Sequence, residues 1–394
     1  MLSSIVALLI LLPVAAGSGW MARAKAERRH RYTAHSASTV QADYLLGISY
    51  LVNEESDRAI ETFIRVLEVD NETAETHLAL GNLFRRQGDI DRALRLHQNL
   101  VARPNLTLAH RNQARYELGR DYLRAGVLDR AESLFVELID DDKFAEPSLN
   151  GLITIHEQVR DWNQAIVATK HLERRRGASL RPIMAQYYCE LAEDAIAAND
   201  VSRVRQALDD ARRAYRGCAR ICLISGRFAK QSGDYRAAIQ NYREVLSQDP
   251  AFASETLAPI RYCFEASDDD AGYLRFLNDY IEHTSDASGH IAYAEFICDR
   301  GRTDEAIAHL SRYLQQQANW IGFFHLLEMT AADPRSRLTG PLDNLRHSLS
   351  NMIEREPVYR CTHCGFSGRY LHWQCPSCRQ WNTVVPRHDI KPGD

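Results

Sequence analysis

Residues 77–94 read HLALGNLFRRQGDIDRAL, and a related pattern returns at residues 117–132 as ELGRDYLRAGVLDRAE. In both stretches a glycine is followed twelve positions later by an alanine, and a polar, turn-forming cluster stands just before the alanine. This layout is typical of two antiparallel helices, because small side chains at a crossing let two helix backbones approach closely. The sequence therefore predicts a helical pair as the unit of the fold.

The same spacing recurs from about residue 40 to residue 349, with one degenerate unit around Tyr273. The small-residue pairs are Gly47/Ala59, Gly81/Ala93, Gly119/Ala131, Ile153/Ala165, Ala192/Val204, Gly226/Ala238 and Ala294/Ala306. A period near 34 residues resembles the tetratricopeptide repeat family, which implies an all-α solenoid. Since one helical pair cannot bury its own apolar face, neighbouring pairs must stack, and the expected curved array offers a groove to a peptide or a protein.

Larger side chains are expected to fill the core between the small ones. They are Tyr50, Phe63, Phe84, Leu100, Tyr122, Phe135, Tyr242 and Val245. Pro250 falls where a second helix of these repeats often ends, and the acidic run 268–270 is expected to cap a helix. Six arginines are candidates for the groove, although solvated helix faces are the commoner explanation for such residues: Arg85, Arg86, Arg111, Arg115, Arg120 and Arg124.

The composition bounds the class of protein. The chain has 394 residues, of which 45% are hydrophobic and 25% are charged, and its formal net charge is -4. These values indicate a folded protein. They show no excess of basic residues, so nucleic acid is not expected to be its main partner. The sequence has no HExxH, no phosphate loop, no G-x-S-x-G and no dinucleotide fingerprint. The chain is therefore predicted not to be an enzyme, and its repeat histidines His97, His156, His309 and His325 are expected to be core or surface residues.

The N-terminus indicates a membrane anchor. Residues Leu2 to Trp20 carry no charge, and 19 residues of helix span roughly 28 Å, about the thickness of the hydrocarbon layer. Basic residues follow this run, beginning with Arg23, whereas in a cleaved signal peptide they would precede it. The positive-inside rule then predicts a single-pass protein with its N-terminus outside and the rest in the cytoplasm. A cleaved signal ending near Gly17 is the alternative.

The cysteines form two groups. Cys189, Cys218, Cys222, Cys263 and Cys298 are scattered through helical patterns and are expected to be small core residues in a reducing compartment. Cys361, Cys364, Cys375 and Cys378 form two CxxC turns separated by ten residues. Such paired turns predict one tetrahedral metal site with four thiolate ligands, which zinc and iron both accept.

The metal must stabilise its small domain, because about thirty residues cannot build a sufficient core. An apolar shell around the site is expected from Tyr359, Phe366, Tyr370, Trp373 and Trp381, and Gly365 is expected in a tight turn. His363 is an alternative ligand. The segment resembles a rubredoxin-type knuckle, but its spacer is shorter and Arg379 stands where rubredoxins repeat the glycine. We therefore expect a structural role, with electron transfer and a nucleic-acid-binding ribbon as alternatives.

Four regions follow from these patterns. They are a transmembrane anchor at 1–20, a basic juxtamembrane linker at 21–40, a repeat solenoid at 41–350 and a rubredoxin-type metal-binding domain at 357–386. This order, together with residues 78–94 and the motif YRCxxCGF…WxCPSCRxW, resembles the lipopolysaccharide assembly protein B family of Gram-negative bacteria.

The resemblance implies more than the patterns do. It implies an adaptor on the cytoplasmic side of the inner membrane that promotes degradation of the lipid A-committing deacetylase by the FtsH protease. It also implies contact with other lipopolysaccharide assembly proteins, and it places the family's metal ligands on the four clustered cysteines. A rubredoxin-like electron carrier and a general membrane-bound assembly chaperone are the alternative functions.

Overall fold

A computed structural model describes residues 45–50, 58–59, 61–62, 74–332 and 340–387. The predicted anchor at 1–20 and the basic linker at 21–40 lie outside these residues, as does Phe63. Among the described residues, no helix has both the length and the apolar character needed to cross a bilayer.

The described chain is helical up to Arg355 and ends in a small sheet. The helices are α1 (Ala74–Gln87), α2 (Ile90–Val101), α3 (Leu108–Ala125), α4 (Leu128–Val136), α5 (Ala145–Val159), α6 (Trp162–Arg176), α7 (Arg181–Ala197), α8 (Val201–Ala214), α9 (Ala219–Gln231), α10 (Tyr235–Gln248), α11 (Leu257–Ala266), α12 (Asp270–His283), α13 (Ala287–Asp299), α14 (Thr303–Gln316), α15 (Trp320–Ala332) and α16 (Gly340–Arg355), with a 3-10 helix at Pro250–Thr256. The strands are β1 (Tyr359–Cys361), β2 (Ser367–Gly368) and β3 (Val384–Pro386). The chain divides into two compact units, unit 1 (Met1–Arg160) and unit 2 (Asp161–Asp394).

Aspartates begin the second helix of several pairs, which explains the polar cluster in those repeats. The side chains of Asp89, Asp161, Asp200 and Asp234 each accept a hydrogen bond from the backbone N–H three residues later. A capping carboxylate satisfies one of the free N–H groups of a helix start and complements its dipole. The repeated turn is therefore set by a local hydrogen bond.

Glycines of the first helices do allow close approach to the second helices, but each faces an aromatic ring and not the alanine of its predicted pair. A Cβ added to Gly226 on α9 would lie 2.6 Å from the ring of Tyr242 on α10. In unit 1 the ring of Phe135 approaches Gly119 and Gly151 equally closely, at 2.8 and 2.6 Å from an added Cβ. Ile153, the first member of the predicted pair with Ala165, is only half-buried.

The expected core is confirmed where the structure describes it. Phe84, Leu100, Tyr122, Phe135, Tyr242 and Val245 are all buried. Tyr50 is only partly buried and packs against the cluster that contains Phe84. The degenerate unit is a regular helical pair, α11 and α12, with Tyr273 buried between aromatic neighbours. Asp269 caps α12 by accepting a hydrogen bond from the Gly272 N–H at 2.7 Å, and Pro250 starts the 3-10 helix directly after α10.

Residues 357–386, hereafter the knuckle, form the three-stranded antiparallel sheet with strand order β2-β1-β3. Tyr359 pairs with Gly368 on one side and with Pro386 on the other. Helix α16 ends at Arg355, two residues before Pro357.

Candidate metal centre

The two CxxC turns share one backbone design. The Gly365 N–H donates to the Cys361 carbonyl at 3.0 Å, and the Arg379 N–H donates to the Cys375 carbonyl at 2.9 Å. Residues 365 and 379 both have positive φ, at 79° and 58°. The turn at Gly365 is as predicted. The second turn keeps the same conformation although Arg379 replaces glycine, at a cost of about 1–2 kcal/mol for the left-handed backbone.

These turns bring the four predicted ligands together. The Sγ atoms of Cys361, Cys364, Cys375 and Cys378 all lie within 4.8 Å of one another. Two of the separations are 3.8 Å, from Cys361 to Cys378, and 3.6 Å, from Cys364 to Cys375. A tetrahedron with metal–sulfur bonds near 2.3 Å has edges of about 3.8 Å. The four sulfur atoms therefore fit one tetrahedral ion, and His363 is not part of the cluster.

The surroundings favour thiolate at Cys361. Burial raises the pKa of its thiol, but the Thr383 hydroxyl and the backbone N–H groups of Cys364 and His363 outweigh burial and lower that pKa to about 6. The Thr383 hydroxyl lies 3.3 Å from the sulfur atom. Since the thiolate is the form that binds metal, this side of the site is prepared for a cation.

The aromatic shell differs from the prediction. Tyr359 and Phe366 pack around Cys361, Cys375 and Val384, as expected. Tyr370 is 78% exposed and covers nothing. Trp373 and Trp381 were also predicted to enclose the metal, which is wrong: both tryptophans face the helices of unit 2.

The tryptophans dock the knuckle onto the helical pairs. The ring centroid of Trp381 lies 6.1 Å from that of Trp162 on α6 and 5.6 Å from that of Tyr187 on α7, both edge-on. The Trp373 ring lies 4.9 Å from Phe252 in the 3-10 helix. Leu371 and Val385 join the same apolar cluster.

Polar contacts fix the orientation of this interface. The Tyr359 hydroxyl donates to Glu255 at 2.9 Å, and burial, with Glu255 as a second cause, raises the pKa of Tyr359. The Asn382 amide donates to Asp249 at 3.4 Å. The Arg220 guanidinium carbon lies 5.3 Å from the centre of the Trp373 ring, within cation–π range. The knuckle and the neighbouring helices therefore share one interface.

The family follows from comparison of the whole chain. It is 34% identical over 381 residues to lipopolysaccharide assembly protein B of Escherichia coli strain K12, covering 96% of this chain and 97% of that protein. It is 31% identical over 389 residues to the protein of the same name from Haemophilus influenzae, with the same coverage of both chains. The chain belongs to the lipopolysaccharide assembly protein B family.

The parts of this family member match known domains. Residues 359–386 match the rubredoxin metal binding domain, and residues 44–105, 78–148 and 219–252 match tetratricopeptide repeats. A solved tetratricopeptide repeat protein from Parabacteroides merdae covers 66% of this chain and 99% of its own length, at 12% identity and a TM-score of 0.32. MamA covers 47% of this chain and 96% of its own length, at 18% identity and the same TM-score.

The candidate groove arginines of this family member mostly serve its own fold. Arg85 is an inward-facing residue whose guanidinium contacts Glu117 at 2.5 Å and Asp121 at 2.8 Å. Asp121 is fully buried and also bonds His97, which is fully buried as well. Arg115 and Arg120 pair with nearby glutamates, and Arg111 donates to backbone carbonyls. Arg86 and Arg124 remain exposed.

The scattered cysteines and the repeat histidines follow the sequence-based expectation. Four of the cysteines are buried among apolar residues: Cys189, Cys218, Cys222 and Cys263. Cys298 is half-buried. Burial and the adjacent Glu244 raise the pKa of the Cys222 thiol to about 12, which suits a core residue and not a nucleophile.

Proposed function

We propose that this protein is a non-catalytic adaptor of the inner membrane that limits lipopolysaccharide synthesis. In this proposal it brings the lipid A-committing deacetylase to the FtsH protease and helps to coordinate other lipopolysaccharide assembly proteins. The names of its relatives support a role in lipopolysaccharide assembly. The observation that carries the adaptor role is the knuckle docked on the helical pairs, because it stabilises a preformed surface on unit 2 for partner proteins.

The anchor gives the adaptor its location. The uncharged run from Leu2 to Trp20, followed by basic residues, supports one membrane span with the bulk of the chain on the cytoplasmic side. Tethering to the membrane that holds the protease raises the effective concentration of each partner without any new contact. Removal of residues 1–20 should therefore leave a folded protein that no longer regulates synthesis.

The four clustered cysteines would hold the metal ion. When bound, the ion supplies coordination energy that folds the knuckle. Cys361 and Cys375, both buried, close the inner side of the site, while the strands carry Tyr359 and the loops carry Trp373 and Trp381 to the helices. The metal ion would thus stabilise the surface that binds partner proteins without itself being part of that surface.

The test is the cellular level of the deacetylase. Replacing Cys375 and Cys378 with serine should remove the metal, release the knuckle from unit 2 and raise the deacetylase level several-fold. Cys298→Ser is the matched control, because Cys298 lies outside the metal site and should leave the level unchanged. Co-purification of the protease and the deacetylase with the full-length protein from membranes is expected for the wild type. Unchanged deacetylase levels in the double variant would contradict the proposal.

A further inference from the structure

A pocket of about 240 Å³ opens in unit 2 where the knuckle meets the helices, hereafter the seam pocket. Its apolar lining combines Leu223 and Ile224 of α9 and Tyr242 of α10 with Leu371 and Trp373 of the knuckle. This volume is below the roughly 300 Å³ at which pockets for whole small ligands begin. It suits one or two side chains of a peptide better than a cofactor.

Cations border this apolar floor on a single helix. Arg220, Arg227 and Lys230 are spaced by seven and three residues along α9, so they lie on one face with Leu223 and Ile224 between them. Two carboxylates also line the pocket, but both are engaged: Glu193 pairs with Arg227, and Glu255 accepts the hydrogen bond of Tyr359.

Two of the three cations can still accept a further anionic partner. Arg220 is only 3% exposed, and its Nη atoms bond Glu190 and Gln186, yet its Nε–H has no hydrogen-bond partner among the described residues. Lys230 lies 5.2 Å from the centre of the Tyr262 ring and forms no ion pair within the described part of the chain. A buried donor left without a partner destabilises the folded protein, and an incoming acceptor would remove that cost.

We propose that the seam pocket binds an extended segment of a partner protein in which an apolar side chain stands beside an acidic one. The apolar group enters between α9 and the knuckle, and the carboxylate meets Lys230 and Arg220. Because Leu371 and Trp373 form one wall, binding requires the folded, metal-loaded knuckle. This inference rests on the proposed adaptor function and assigns it a site and a class of ligand.

Fluorescence anisotropy with the purified full-length, zinc-loaded protein tests the pocket. The probes are a labelled eight-residue peptide that alternates leucine with acidic residues and its counterpart with lysine in place of each acid. The acidic peptide should bind at least about tenfold more tightly than the basic one, a ratio that one good charge pair supplies. Lys230→Glu should abolish this preference, and Leu371→Asp should weaken the acidic peptide about tenfold while the metal is retained.

Arg236→Glu is the matched control, since it makes the same kind of charge reversal at an exposed position of α10 outside the pocket. It should change the affinity less than twofold. Equal binding of both peptides, no binding below about 1 mM, or equal effects of Lys230→Glu and Arg236→Glu would overturn the inference. Such a result, together with a raised deacetylase level in the cysteine double variant, would refute the pocket and leave the adaptor function standing.

Discussion

At the scale of single residues, Trp381 links the metal-binding knuckle to unit 2. Its indole ring meets Trp162 and Tyr187 edge-on, and these two side chains are 5% and 0% exposed. Each aromatic pair of this kind contributes about 0.5–1.5 kcal/mol beyond its area burial. Two such pairs therefore contribute about 1–3 kcal/mol to docking.

Trp381→Ala should therefore weaken docking by about 1–3 kcal/mol while the protein keeps its metal. Faster cleavage of the segment between Arg355 and Tyr359 by a protease, with the metal content measured in parallel, would report the loss. Tyr370→Ala is the control from the same domain, because Tyr370 is 78% exposed and should have no effect. Equal cleavage of both variants would refute the role of Trp381.

The role of Trp381 could not be predicted from its neighbours in the sequence. The pattern of the knuckle predicted the cluster of four cysteines and the Gly365 turn, because both depend on local spacing. The tryptophans were assigned to the metal site because they lie beside the cysteines in the sequence. The repeats carry no signal that singles out Trp162, because the equivalent helices of other repeats also begin with large apolar residues, such as Ile90, Val201 and Tyr235.

At the scale of secondary-structure elements, the close packing of each helical pair depends on residues that lack or nearly lack a side chain. Gly226 of α9 lies against the ring of Tyr242, which is 2% exposed and enclosed by the core. A methyl group at this position has no room unless the ring moves. The regular spacing of such residues explains why most of the helical architecture can be read from the sequence, whereas the divergent pair α11 and α12 follows only from the doubled interval between Ala238 and Ala306.

Gly226→Ala should destabilise unit 2. The clash costs about 1–3 kcal/mol, and the higher helix propensity of alanine returns at most about 1 kcal/mol of this. The urea midpoint of the full-length protein should therefore fall. In a Tyr242→Leu background the ring is gone, and Gly226→Ala should become neutral or stabilising. A fall of the same size in both backgrounds would show that helix approach is not the cause.

Helices α13 and α14 carry a pair of histidines that makes the array sensitive to acid. His290 Nδ1 lies 3.1 Å from His309 Nε2, and the His290 ring stacks on Tyr313. Burial, with the adjacent His309 as a second cause, lowers the pKa of His290 to about 4, although Asp286 opposes this shift. The pKa of His309 is lowered too, by burial and by Arg312.

Between pH 6.5 and pH 4 the unfolded chain therefore binds a proton at His290 that the folded chain does not, so the free energy of unfolding falls as the pH falls through this window. Phe in place of His290 keeps a ring against Tyr313 and cannot titrate. The loss of urea midpoint between pH 7.5 and pH 5 should be smaller in His290→Phe than in the wild type. An equal loss in both proteins would contradict the assignment.

At the scale of the whole molecule, the sequence predicts the order of the parts better than their contacts. The repeats and the metal site each depend on spacings shorter than 40 residues, which a pattern can reveal. The docking interface joins residues far apart in the chain, such as Tyr359 with Glu255 and Asn382 with Asp249, 104 and 133 positions apart. The Arg85–Asp121 ion pair of unit 1 was missed for a related reason, since its members belong to different helical pairs.

We infer that the metal-loaded knuckle and its neighbouring helices in unit 2 fold as one cooperative structure. Hydrogen exchange of the full-length protein, with and without a chelator that removes the metal, tests it directly. Metal removal should lower protection in the knuckle and, together with it, in α9 and the 3-10 helix at Pro250–Thr256, while α1 to α3 of unit 1 stay unchanged. Loss of protection confined to residues 357–386 would contradict the claim.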